Sequence, residues 1–424
     1  MSRHLNRFGL RYFQDEDHYT RAAWNAWGKA FTSLGVHWLT LTASERRAIP
    51  EFFLRSVIDA GIQPIIHIVA AVGSISLREI APILKSYADW GVRHVVIFDR
   101  PNLQSAWDQA DWNRPDLIER FVDGMLPVLY VQQEVGLEPL LPPLEPGGDY
   151  WDTVFLESAL SAFKRRGQVH LLEQLGLSAY AWTSGRPLDW GRGGPAAWPE
   201  AKPYRNPEGS ENHIGFRIFD WYQTIMEHVT GFETRLYVLA GGHHQGIQNA
   251  GHDPVKMQTD IYDQLQSNDV PGFVRCFNFD AFPTGASTDS RWFNADASLG
   301  PMAEAVSMTR KKQFRRESSK LPKTIDHYAL LPRSGTGRAI KIWDRMVDFA
   351  VAVQPTTGFS FEEARHARKV TILADEKEIP PEIQERLEDN GCEVSRIDIQ
   401  TDEKLLDAIT AFAKQKDQAG GRDE

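Results

Sequence analysis

The stretch VRHVVIFDRPNLQSAW, from Val92 to Trp107, changes character at its middle. Its apolar half, Val95-Val96-Ile97-Phe98, is β-branched and shows no polar alternation, the pattern of a strand buried on both faces. The half that follows, Asp99-Arg100-Pro101-Asn102, is polar and carries a proline that ends the strand. An ionisable pair placed where a buried strand emerges marks the rim of a parallel sheet as a candidate site.

Outward from this stretch the same rhythm repeats. Strands are predicted at Phe8–Phe13, Val36–Thr42 and Ile62–Val69, with helices at Tyr19–Leu34, Ala48–Ala60 and Leu77–Trp90 stopped by Gly35, Gly61 and Gly91. Beyond it, Leu137–Leu144, Leu177–Ser184, Thr234–Ala240 and Pro271–Asp280 read as strands. They alternate with helices at Pro115–Val135, Val154–Leu175, Phe216–Thr230, Pro254–Gln266 and Pro301–Phe314. Roughly eight βα units predict a (β/α)8 TIM barrel over residues 1–314. The segment Gly185–Glu211, rich in Gly, Pro and Trp, is too long for a plain connector and reads as a functional insertion. The basic run Arg310–Lys323 marks a linker, placed at residues 315–326. Residues 327–424 read as a small flavodoxin-like or half-Rossmann α/β domain. Its strands are predicted at His327–Pro332, Lys369–Ala374 and Glu393–Ile399, and its helices at Ala339–Val353, Pro381–Asn390 and Glu403–Lys414.

The formal net charge of −10 argues against a phosphate-tracking surface, so neither nucleic acid nor an anionic membrane is an expected partner. Cys276 and Cys392 lie far apart in apolar runs and read as buried free thiols. The first residues, MSRHLNRFGLRYF, lack the apolar run of a secretory signal, and no stretch is long enough to span a bilayer. The expectation is a soluble, cytoplasmic protein.

Catalytic residues of such barrels lie at the C-terminal ends of the strands. Those ends supply Gln14, Asp15 and Asp17; Thr42; His67; Asp99, Arg100 and Asn102; Glu145; Trp182; His243 and His244; and Asp280. Polar groups beside tryptophans suit a hydroxyl-rich ligand, and Trp182, Trp190 and Trp198 are either stacking platforms or plain packing. His243 and His244 are adjacent in extended chain and point to opposite sides, so no metal is expected there. Ser334-Gly335-Thr336-Gly337 lacks the full phosphate-loop pattern and reads as a glycine turn, so no cofactor is expected.

Val92–Trp107 resembles the fourth barrel strand of clan A retaining glycoside hydrolases, the family 39 type above all, whose pattern is Trp-Asn-Glu-Pro-Asn-Leu followed by a Trp. Pro101, Asn102, Leu103 and Trp107 match it. Asp99 stands where that family has Asn, and Arg100 where it has the acid/base Glu. Strand seven of the clan ends in Thr-Glu, whereas this chain ends it Leu239-Ala240-Gly241-Gly242, with Ala240 at the nucleophile's place. The resemblance implies a carbohydrate-handling barrel without the standard carboxylate pair. Such a barrel is either a divergent glycosidase using Asp99, Glu145 and Asp280 or a glycan-binding pseudoenzyme. Its ligand would be an oligosaccharide or glycoside held by Gln14, His67, Arg100, Asn102, Trp107, Trp182, His243 and His244. The alternative is a non-catalytic scaffold that uses the barrel and the C-terminal domain for assembly. Nothing in the sequence specifies an oligomeric state.

Overall fold

The computed structural model describes residues 6–201, 212–243, 253–267, 269–282, 291–318, 322–332, 350–351, 353–374 and 376–397. The first eight strands are β1 (Phe8–Arg11), β2 (Trp38–Ala43), β3 (Gln63–Ile68), β4 (His94–Ile97), β5 (Leu140–Leu141), β6 (Gly176–Trp182), β7 (Arg235–Gly242) and β8 (Val274–Asp280). They pair in the order β4-β3-β2-β1-β8-β7-β6-β5, always in parallel. The ring closes between β4 and the two-residue β5 through a parallel bridge of His94 with Glu138. There the Glu138 amide donates to the Arg93 carbonyl at 2.9 Å. The result is the (β/α)8 barrel expected from the sequence, and a smaller parallel α/β sheet follows it.

Alternation along the strands divides the apolar residues into two cores. Leu39, Leu41, Ile66, Ile68, Val95 and Ile97 face the surrounding helices, while Trp38, Ile65, Val96, Leu239 and Cys276 fill the barrel interior. This double burial is why β4 reads as an unbroken apolar run. Helix boundaries follow local chemistry. Thr20 caps the helix Arg21–Leu34 by accepting from the Ala23 amide, and Gly35, at φ 77°, stops it in a conformation that a side chain would disfavour.

At the N-terminal end of the barrel, Glu138 joins three strands. It accepts from the Tyr237 hydroxyl at 2.8 Å and pairs with Arg235 at 3.0 Å and His94 at 3.5 Å. Burial alone would raise its carboxyl, but the His94 hydrogen bond and the Arg235 charge outweigh burial and hold it below the ordinary value.

Several boundaries differ from the sequence reading. The helix expected over Val154–Leu175 is two, Asp152–Arg165 and Val169–Gln174, because Gly167 turns the chain at φ 74°. The helix beginning at Pro301 runs to Ser318, into the run read as a linker, because its basic residues are also good helix formers. The chain divides into two compact units between Ser307 and Met308.

In the second unit, β9 (Ile325–Leu330), β10 (Thr356–Gly358), β11 (Ala367–Leu373) and β12 (Glu393–Ile397) pair in the order β10-β9-β11-β12, all parallel. That is the 2-1-3-4 order of flavodoxin-like sheets. Three-residue β10 was not legible, since Thr-Thr-Gly carries no apolar signal. Most of the expected helix Ala339–Val353, all of Glu403–Lys414 and the Ser334–Gly337 turn lie outside the described residues. Cys276 and Cys392 are buried and free. Among the described residues, no helix is long and apolar enough to cross a membrane.

Candidate functional site

At the end of β4 the backbone enters the left-handed region twice, at Phe98 (φ 73°) and Arg100 (φ 46°). Neither residue type favours that region, and each costs of the order of 1–3 kcal/mol that surrounding structure must offset. The restraint is visible. The Phe98 amide donates to Ile68 O at 3.0 Å, the Arg100 amide donates to Pro143 O at 3.0 Å, and His67 Nε2 donates to Phe98 O at 3.0 Å. Between the two strained residues stands Asp99.

Both Asp99 oxygens are engaged. Oδ1 accepts from the Tyr180 hydroxyl at 2.7 Å, and Oδ2 accepts from Arg100 Nε at 2.9 Å. Arg100 also reaches Glu145 Oε2 at 3.4 Å, so one guanidinium contacts both carboxylates. Burial would lower the Arg100 pKa, but the charges of Asp99, Tyr180 and Glu145 raise it overall. The Tyr180 hydroxyl is pushed far above its usual range, first by burial and then by Asp99. His67, wholly buried, is held below its ordinary 6.5 by desolvation, against the pull of Asp99 at 3.8 Å. The imidazole is neutral there at neutral pH.

Two further residues fasten the loop that carries Glu145. Asn102 is completely buried and spends its amide on backbone. It donates to Glu145 O at 2.8 Å and Tyr150 O at 3.0 Å, and it accepts from the Glu145 amide at 2.9 Å. Asp152, also fully buried, accepts from His213 Nε2 at 2.7 Å, Tyr222 at 2.9 Å and the Gly147 amide at 2.8 Å. The loops after β4 and β5 are thereby one pinned surface.

The remaining candidates scatter. Trp107 is buried, with Nε1 donating to Pro101 O at 2.7 Å and the Arg120 guanidinium 5.3 Å from its ring. Trp182 stacks beside Tyr180 at 6.4 Å, whereas Trp190 and Trp198 pack on each other at 4.8 Å and donate to backbone carbonyls. Gln14 is exposed beyond β1, and Asp15 is committed to a local turn with His18. His243 follows β7 half-buried, and His244 lies outside the described residues. Asp280 ends β8 in register with Arg11, and Ala240 is fully buried. Among the described residues, no three His, Cys, Asp or Glu side chains gather as a metal site.

Solved structures of similar architecture include glycoside hydrolases and a D-psicose 3-epimerase from Clostridium cellulolyticum. An endo-β-1,3-glucanase of glycoside hydrolase family 128 from Sorangium cellulosum matches at 13% identity over 72% of this chain and 98% of that one, with TM-score 0.42. A monomeric β-xylosidase from Caulobacter crescentus matches at 11% identity over 72% and 68%, with TM-score 0.47. A family 128 oligosaccharide-binding protein from Trichoderma gamsii matches at 13% identity over 68% and 93%, with TM-score 0.36. No protein-family model matches the chain, and no curated protein matches its sequence. The resemblance is one of architecture, which strand pairing had already established. The chemistry must be read from this chain's own residues.

Two residues of the site were absent from the sequence reading, Arg11 and Tyr180. A period-two reading would have found both, since Gly9 and Arg11 share one face of β1, and Tyr180 and Trp182 share one face of β6.

Proposed function

We propose that the C-terminal face of this barrel binds an oligosaccharide or glycoside without running the two-carboxylate retaining reaction. The reading rests on the way Asp99 is spent, with both oxygens fixed by Tyr180 and Arg100 on a strained turn. Fixed donors and acceptors beside a half-buried indole, Trp182, suit a ligand rich in hydroxyls. Retaining hydrolysis needs two carboxylates about 5–5.5 Å apart, one of them able to give up a proton. Asp99 has both oxygens committed to Tyr180 and Arg100, and Ala240 offers only a buried methyl.

One observation favours a divergent glycosidase instead. The Glu145 side chain is 36% exposed against 12% for Asp99, which leaves it open to a leaving group. In that reading Glu145 acts with Asp99 or Asp280. Calorimetric titration with mixed oligosaccharides, run beside aryl-glycoside assays, separates the two. Binding without turnover is expected. Turnover abolished by Glu145→Gln would establish the divergent enzyme, and absence of both binding and turnover would leave the barrel as a scaffold.

A further inference from the structure

Arg100 is neutralised from two sides, but a second arginine on the inner wall is not. Arg11, the last residue of β1, has its guanidinium 6.0 Å from the Tyr180 ring, and Arg100 lies 5.7 Å from the same ring. Among the described residues, no ion pair engages Arg11, and its Nε is buried without a hydrogen-bond acceptor. A buried guanidinium N–H left without an acceptor is costly unless a ligand completes it.

The neighbouring strands β2 and β3 add buried polar atoms in the same condition, Thr40 Oγ1 among them. Thr42 Oγ1 and His67 Nδ1 have no partner among the described residues. The two residues are register partners on β2 and β3, and Arg11 is in register with Thr40 of β2. Because His67 Nε2 donates to Phe98 O, its proton sits on that nitrogen, and Nδ1 presents a lone pair. Three adjacent strands thus leave a charged donor, an acceptor and a hydroxyl unfilled on one patch of wall. Buried polar groups are almost always satisfied, and a patch left open is what a ligand or ordered water fills.

We propose that this wall is an anion subsite, in which Arg11 grips the carboxylate or sulfate of a charged sugar while Thr42 and His67 Nδ1 bind adjacent hydroxyls. The proposal rests on the glycan-binding reading above and names the class of glycan. The planar guanidinium fork of Arg11 matches a carboxylate or sulfate, whereas the hydroxyls of a neutral sugar would leave its charge unmet. The chain's net charge of −10 opposes anions in general, so any preference for them must come from a local site. The competing arrangement has Arg11 turning onto Asp280, its register neighbour on β8.

The experiment is calorimetric titration of the full chain with three probes: tetragalacturonate, a sulfated galactan tetrasaccharide and neutral cellotetraose. One anionic probe is expected to bind at least about tenfold more tightly than cellotetraose, with the advantage shrinking as salt rises. Arg11→Gln is expected to bring that ratio close to one, and Arg11→Lys to restore part of it. The arm that binds distinguishes carboxylate from sulfate. Equal or tighter binding of cellotetraose, or an Arg11→Gln variant that keeps the anionic preference, overturns the subsite and leaves glycan binding standing. Failure of all three probes overturns both. Circular dichroism of each variant guards against misfolding, and should Arg11→Gln not fold, the salt dependence and probe ranking of the unmodified chain decide alone.

Discussion

The Tyr180 hydroxyl donates to Asp99 at 2.7 Å, linking residues 81 apart in sequence and joining β6 to the end of β4 past the short β5 between them. This bond orients the carboxylate that the strained turn displays. A hydrogen bond to a charged group contributes about 2 kcal/mol. Tyr180→Phe is therefore expected to lower unfolding free energy by that amount and to weaken glycan binding, as read by urea denaturation and calorimetry. An unchanged midpoint would mean that Arg100 alone holds Asp99.

Asn102→Ala removes the clamp between the loops after β4 and β5. It strands the Glu145 amide and the carbonyls of Glu145 and Tyr150, all bonded to that side chain. The expected cost is about 3 kcal/mol, with a marked fall in thermal midpoint. If Asn102 were a ligand contact instead, the variant would lose affinity at nearly unchanged stability.

Glu138→Gln tests the barrel floor through pH. The folded Glu138 carboxyl lies below its ordinary 4.5, so its contribution is complete above the unfolded value and disappears as pH falls through the folded one. The variant is expected to lose about 2 kcal/mol at neutral pH. The gap to the unmodified chain should narrow in acid. Denaturant titrations at neutral and acidic pH check the sign, and a gap that widened in acid would contradict the assignment.

Gly9→Ala probes close packing inside the barrel. An added methyl would stand 2.7 Å from Trp38 Cβ, 2.9 Å from the Trp38 carbonyl, and against Asn278 Oδ1. Backbone on one side prevents easy relief, so a loss of at least about 2 kcal/mol is expected. A neutral substitution, measured by thermal unfolding, would show that β1 can shift away from β2.

The sequence by itself determined the barrel. Double-sided apolar runs and glycines at helix ends are local signals, and local signals repeated eight times in one order admit little besides a (β/α)8 fold. It also placed Asp99, Arg100, Glu145 and His67 at strand ends, where chemistry belongs. Only the tertiary structure decided what these side chains do. Asn102 and Trp107 match a family motif, yet they turn inward to fasten backbone. Asp99 is gripped by Tyr180, and Arg11 comes to the same ring from the far end of the chain's first strand. The physical reason is that these contacts depend on strand register, barrel closure and two left-handed residues beside Asp99. None of those is encoded in any window short enough to read along the chain.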